Sequence, residues 1–91
     1  MDSINSVVPR ALTELFRTGP MSQGKLEVAW RVAVGDAINR VSAVRLRPDG
    51  VVEVSPADQR WQTELKRSSA MIRSRLNDLL GKEAVTRLVV K

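Results

Sequence analysis

The stretch Val44-Arg45-Leu46-Arg47-Pro48-Asp49-Gly50-Val51-Val52-Glu53-Val54 decides the fold. Two short runs of alternating apolar and polar residues flank Pro-Asp-Gly. Pro48 presets φ for a type I turn, Asp49 suits the next position, and Gly50 supplies the positive φ of a bulge. The stretch therefore predicts a β-hairpin. Alternation puts Val44 and Leu46 on one face and Arg45 and Arg47 on the other. Either Val52 and Val54, or Val51, joins the apolar face.

Upstream, Leu26, Ala29, Trp30, Ala33, Val34, Ala37, Ile38 and Val41 recur at helical spacing, with Ser22 placed to cap the start. Gly35 falls inside this pattern. A glycine within a helix needs a reason, and close approach of a neighbouring element is the first one, a local break the second. Further upstream, Ile4, Val7, Val8, Ala11, Leu12, Leu15 and Phe16 trace another helical face. Its firm part is expected at 7–17, with Pro9 in its first turn and Thr18-Gly19-Pro20 ending it.

Downstream, Ser55-Pro56-Ala57-Asp58 reads as the start of one long helix, with Ser55 as cap and Pro56 at the first helical position. Trp61, Leu65, Ile72, Leu76 and Leu79 form its apolar stripe, and Gly81 its stop. Residues 86–91 read as a last strand, with Leu88 and Val90 on one face and Arg87, Val89 and Lys91 on the other. The predicted order is α-α-β-β-α-β in a single domain spanning 1–91. The fold class is α+β: a three-stranded sheet with helices on one face. The third strand should run parallel to the second. Placing it beside the first would make the sheet fully antiparallel, and that arrangement is preferred.

Composition removes whole classes of function. The 91 residues include no Cys and no His. That leaves no disulfide framework, no thiol nucleophile, no imidazole base and no common zinc ligand set. The carboxylates are scattered among Arg and Lys, and no nucleophile has a base beside it, so no catalytic residue, cofactor or metal site is expected. Phe16, Trp30 and Trp61 are the only aromatics, too few for a sheet that stacks bare bases. Both Trp lie on apolar helix faces and read as core anchors. Gly19 to Lys25 matches G-x-x-x-x-G-K, but Leu26 stands where Ser or Thr would bind Mg²⁺, and the loop follows a helix rather than a strand. It reads as an interhelical loop. No apolar run is long enough to span a membrane, and the N-terminus lacks the pattern of a secretory signal, so a cytoplasmic location is expected.

The basic residues are informative. The net charge is +5, and residues 1–39 contribute none of it. The excess sits from Arg40 onward, most of it beyond residue 56. Eleven of the 15 basic residues are Arg, which contacts phosphates bidentately. Arg45, Arg47, Arg87 and Lys91 should share the sheet face away from the helices, offset by Glu53, with Lys66 and Arg73 of the long helix near it. This set is the candidate nucleic-acid-binding site. Neutralising about four phosphates would give a log–log salt slope near −3 to −4.

From Trp30 onward the chain resembles the DciA family of bacterial replication proteins. The resemblance rests on Trp30-Arg-Val-Ala-Val-Gly35, Ala37-Ile38, Val41-Ser42, and Leu46 with Asp49-Gly50 leading into Val52-Glu53-Val54. It continues through Trp61-Gln-Thr-Glu-Leu65, Ile72 with Leu76-Asn77 and Leu80-Gly81, and Val85 with Leu88. Ile4, Val7-Val8-Pro9 and Leu12 also fit. It implies a KH-like module that binds DNA and the replicative DNA helicase and promotes helicase loading, without catalysis. It marks Trp30, Gly35, Ser42, Trp61 and Leu65 as the signature, which are mainly fold positions. The Gly-x-x-Gly loop with which typical KH domains grip a nucleic-acid backbone is missing. The partners implied are the helicase and single-stranded or duplex DNA, with no membrane and no small-molecule substrate. The alternative is a protein-interaction adaptor, or a module for structured RNA without DNA affinity.

Overall fold

The computed structural model describes Glu14, Phe16, residues 19–81 and residues 83–91. The predicted first helix thus lies outside the described residues, apart from Glu14 and Phe16, which are helical. The described elements are α1 (Gln23–Val34), α2 (Asp36–Arg40), β1 (Ser42–Leu46), β2 (Val51–Pro56), α3 (Gln59–Arg67), α4 (Ser69–Leu80) and β3 (Arg87–Val90). The architecture is α+β, and the order fits the KH-like expectation.

The hairpin forms as its sequence dictates. The Gly50 N–H donates to the Arg47 carbonyl at 3.1 Å, and the Arg47 N–H to the Val51 carbonyl at 2.9 Å. The Asp49 carboxylate accepts from the Val51 N–H, and Gly50 takes φ +82°. Register pairs Val44 with Val54 and Leu46 with Val52. Val52 and Val54, rather than Val51, face the core, both with 0% exposure.

The sheet is mixed, not fully antiparallel. Its order is β1-β2-β3, with β1 and β2 antiparallel and β2 and β3 parallel. The expected parallel direction of the third strand relative to the second holds; its expected place beside the first does not. The reason is a contact 36 residues apart in sequence. Thr86 donates its N–H to the Gly50 carbonyl and its hydroxyl to the Asp49 carbonyl, at 3.0 and 3.1 Å, which seats β3 against the start of β2. A Cβ on Gly50 would meet the Thr86 side chain at 3.1 Å. Gly50 therefore serves both the turn and the docking of β3. The outer edge of β1 is closed by a side chain instead: Gln23 accepts from the Leu46 N–H and donates to the Val44 carbonyl, each at 2.8 Å. This blocks further strand pairing there.

Both long predicted helices are divided. Gly35 ends α1 at φ 87°, ψ 166°, a region open in practice only to Gly. Nothing lies within 4 Å of a Cβ built there, so the local break, and not close approach, explains this glycine. The turn lets Leu26, Ala29, Trp30 and Ala33 of α1 and Ile38 of α2 reach one core. The long C-terminal helix breaks at Ser68, and its start also differs from expectation. Pro56 closes β2, and Asp58 rather than Ser55 caps α3, accepting from the Trp61 N–H at 3.0 Å. The register of β2 carries the chain two residues further in extended form. Gly81 ends α4 as expected.

The core joins Phe16, the α1 face, Val52, Val54, Leu65, Ile72, Leu76, Leu79, Leu80 and Val85. Trp30 is 1% exposed, and its indole N–H donates to the Ser42 hydroxyl at 3.0 Å, which donates in turn to the Ile38 carbonyl. Trp61 differs from its expectation as a core anchor: it remains partly exposed on α3.

Two glycine substitutions separate conformation from packing. Gly35→Ala should cost about 1–3 kcal/mol despite the open space around it. Gly24→Ala, at an ordinary helical position with nothing near its Cβ, should raise stability by about 0.5 kcal/mol. Urea denaturation of both variants reads the contrast, and equal effects would refute it.

Candidate nucleic-acid interface

Alternation in the sheet fixes what its second face carries. The valine side is covered by the described helices, and the other side presents Arg45, Arg47, Val51, Glu53, Arg87, Val89 and Lys91. Register arranges them as a lattice. Glu53 lies opposite Arg45 on one side and opposite Val89 on the other, and Val51 pairs with Arg87. Arg47 and Lys91 occupy diagonal positions. One carboxylate thus stands at the centre, with four cations around it.

Glu53 is engaged by two of them. Arg47 approaches it at 2.8 Å and Lys91 at 3.5 Å, and the Glu53 side chain keeps only 16% exposure. Partial burial by itself would raise the Glu53 carboxyl. The Arg47 hydrogen bond and the Lys91 charge outweigh that and hold it below its ordinary value of 4.5. Arg45 and Arg87 are exposed and make no ion pair among the described residues. Arg45, Arg47, Glu53 and Lys91 also line a shallow open depression beside Leu46 and Pro48.

The other two candidate residues lie elsewhere. Lys66 is exposed on α3 and Arg73 on α4, in the helical layer on the far side of the sheet. Arg73 also has a structural task, donating to the Val85 carbonyl at 3.2 Å. Asn77 holds the same peptide from both sides, accepting from the Val85 N–H and donating to its carbonyl. Arg75 donates to the Ala33 carbonyl in the last turn of α1, where helix carbonyls lack intrahelical partners. No sequence spacing pointed to these roles of Asn77 and Arg75, or to Gln23 at the β1 edge, because each contact joins different elements and follows no helix or strand period. On α3, Glu64 pairs with Arg67 at 3.4 Å. The pair is exposed and contributes little.

At the P-loop-like segment, Ser22 caps α1 through the Lys25 N–H, and the Lys25 ammonium reaches the Gly19 carbonyl at 3.4 Å. The arrangement is that of a helix start. Among the described residues no cluster of carboxylates could hold a metal ion, and no helix is long and apolar enough to cross a membrane.

Fold and surface together define a small α+β module with one helix-covered sheet face and one cationic face that no described helix covers. The family model described as "Dna[CI] antecedent, DciA" matches residues 3–90, and the chain belongs to that family. Membership supports a DNA-replication accessory role of the helicase-loader type, in a family that is not one of known enzymes. No curated protein and no solved structure matches the chain.

The paired state of Glu53 makes stability depend on pH. Its folded-state carboxyl lies below the unfolded value, so its contribution is complete above about pH 4.5 and is lost as pH falls through the folded value. The thermal stability of the wild type should therefore fall on acidification below that point more steeply than that of Glu53→Gln. Parallel acid limbs for the two proteins would remove Glu53 from the account.

Proposed function

We propose that the bare sheet face contacts nucleic-acid phosphates, and that a separate surface of the chain engages the replicative DNA helicase during its loading. The observation that carries this is the placement of Arg45, Arg47, Arg87 and Lys91 on one exposed face. Arg45 and Arg87, whose guanidinium groups no described carboxylate pairs, suit phosphate oxygens. The face carries no aromatic side chain, so recognition is by charge and independent of sequence. Single-stranded and duplex DNA both satisfy it. In this reading Lys66 and Arg73, on the helical side, add to the field that attracts the polyanion rather than to the same set of contacts. The protein acts without catalysis or cofactor, in the cytoplasm.

The second reading is an adaptor, or a structured-RNA module, without DNA affinity. The engagement of Arg47 and Lys91 by Glu53 favours it, since it halves the cations left for phosphate. Titration with duplex DNA, single-stranded DNA and RNA of one sequence separates the two. The Arg45→Glu/Arg87→Glu variant should lose at least about tenfold in DNA affinity at low salt, with unchanged circular dichroism. Full retention of affinity would move the site off this face. Helicase capture without DNA, together with no measurable DNA binding, would favour the adaptor.

A further inference from the structure

Glu53 sits where a bound phosphate would gain most, at the centre of the four cations, and it cannot easily leave. Its backbone belongs to the central strand, paired on both sides. Its neighbours in β2, Val52 and Val54, are fully buried, so the backbone that carries the carboxylate is fixed beneath this face. Both of its oxygens are used, one by Arg47 at 2.8 Å and the other by Lys91 at 3.5 Å.

We propose that Glu53 is a built-in stand-in for a phosphate: it holds Arg47 and Lys91 in place, bars an anion from the centre of the face, and leaves binding to Arg45 and Arg87. This rests on the nucleic-acid reading above and determines how that surface works. Arg45 lies on one edge strand and Arg87 on the other, so they stand about 10 Å or more apart across three strands. They contact separate phosphates of an extended polyanion, while a small anion finds no site at the centre. Glu53 thereby selects for polymeric ligands and sets a weak, rapidly reversible grip.

The measurable consequence is the number of counterions released. With two cations engaged, the duplex-DNA salt slope is about −1.8, and with four it is about −3.6. The four-phosphate slope expected from sequence therefore belongs to Glu53→Gln and the shallower one to the wild type. Arg47→Ala/Lys91→Ala provides the second arm. Its effect on affinity should be at least about threefold larger in the Glu53→Gln background than in the wild type, because only there are Arg47 and Lys91 released to phosphates. Fluorescence anisotropy with a labelled duplex at several salt concentrations reads every arm, with circular dichroism checking each fold. Equal slopes for wild type and Glu53→Gln, or equal effects of the double substitution in both backgrounds, would overturn the role of Glu53 while the nucleic-acid reading stands. If neither wild type nor Glu53→Gln binds duplex at low salt, the nucleic-acid reading fails and the role of Glu53 with it.

Discussion

Val52 and Val54 have no solvent exposure, and Glu53 between them points the other way. The period of two in β2 makes these facts inseparable. The apolar face of β2 must be buried against α1, α3 and α4, because a domain this small has little other surface to remove from water. Once it is buried, register does the rest. Val44 and Leu46 of β1, and Leu88 and Val90 of β3, fall on the same side. Arg45, Arg47, Arg87 and Lys91 then have no choice but the open face, and the carboxylate lies in their midst. A slip of one residue in any strand would bury a charged side chain, Arg45, Glu53 or Arg87, and expose a valine. The charged face is as firmly specified as the core because it is the other side of the same alternation.

What could be read from sequence was whatever is local. Pro48-Asp49-Gly50 encodes its turn within a few bonds, and the cationic face follows from alternation alone. Strand order could not be read this way. It depends on Thr86 meeting Asp49 and Gly50, residues far apart in the chain, and the spacing that reveals a helix or strand carries no information about that meeting. The two helix breaks failed for different reasons. Gly35 was visible, but a glycine signals either space or an unusual φ, and only the structure separates them: the space around it is empty and φ is positive. Ser68 breaks a helix without any strong breaker, with its N–H still bonded to Glu64. Trp61 shows the limit of periodicity. Its position on the apolar stripe is real, but the stripe meets the core at Leu65, and Trp61, one turn earlier, stays partly exposed.

The candidate site divides along the same line. Which residues share the face was legible, and which of them are free was not. A net charge of +5 counts every cation equally. In the folded chain Arg75 and Arg73 donate to backbone carbonyls at Ala33 and Val85, and Arg47 and Lys91 are held by Glu53. Arg31 pairs with Asp36 across the Gly35 turn, and its hydrogen bond keeps the Asp36 carboxyl below its ordinary value. Much of the arginine content that suggests a polyanion partner is therefore structural. It fastens helix ends and loops in a domain without disulfides.

Parallel strand pairs are ordinarily covered on both faces, yet β2 and β3 form one with a side that no described helix covers. Val51 and Val89 lie on that side and are half-buried. Long Arg and Lys side chains lay their aliphatic stems over apolar surface while keeping their charges in water, and Val51 stands between Arg47 and Arg87. Stems of these cations laid over Val51 and Val89 would cover apolar surface that no described helix covers. A surface built this way carries two demands at once. Its stems must stay down to cover the valines, and its heads must reach outward to any phosphate. A few cations so constrained hold a polyanion only loosely. In the proposed reading, loose, sequence-independent contact on this face would leave another surface to the helicase, a division of labour that suits an accessory of helicase loading.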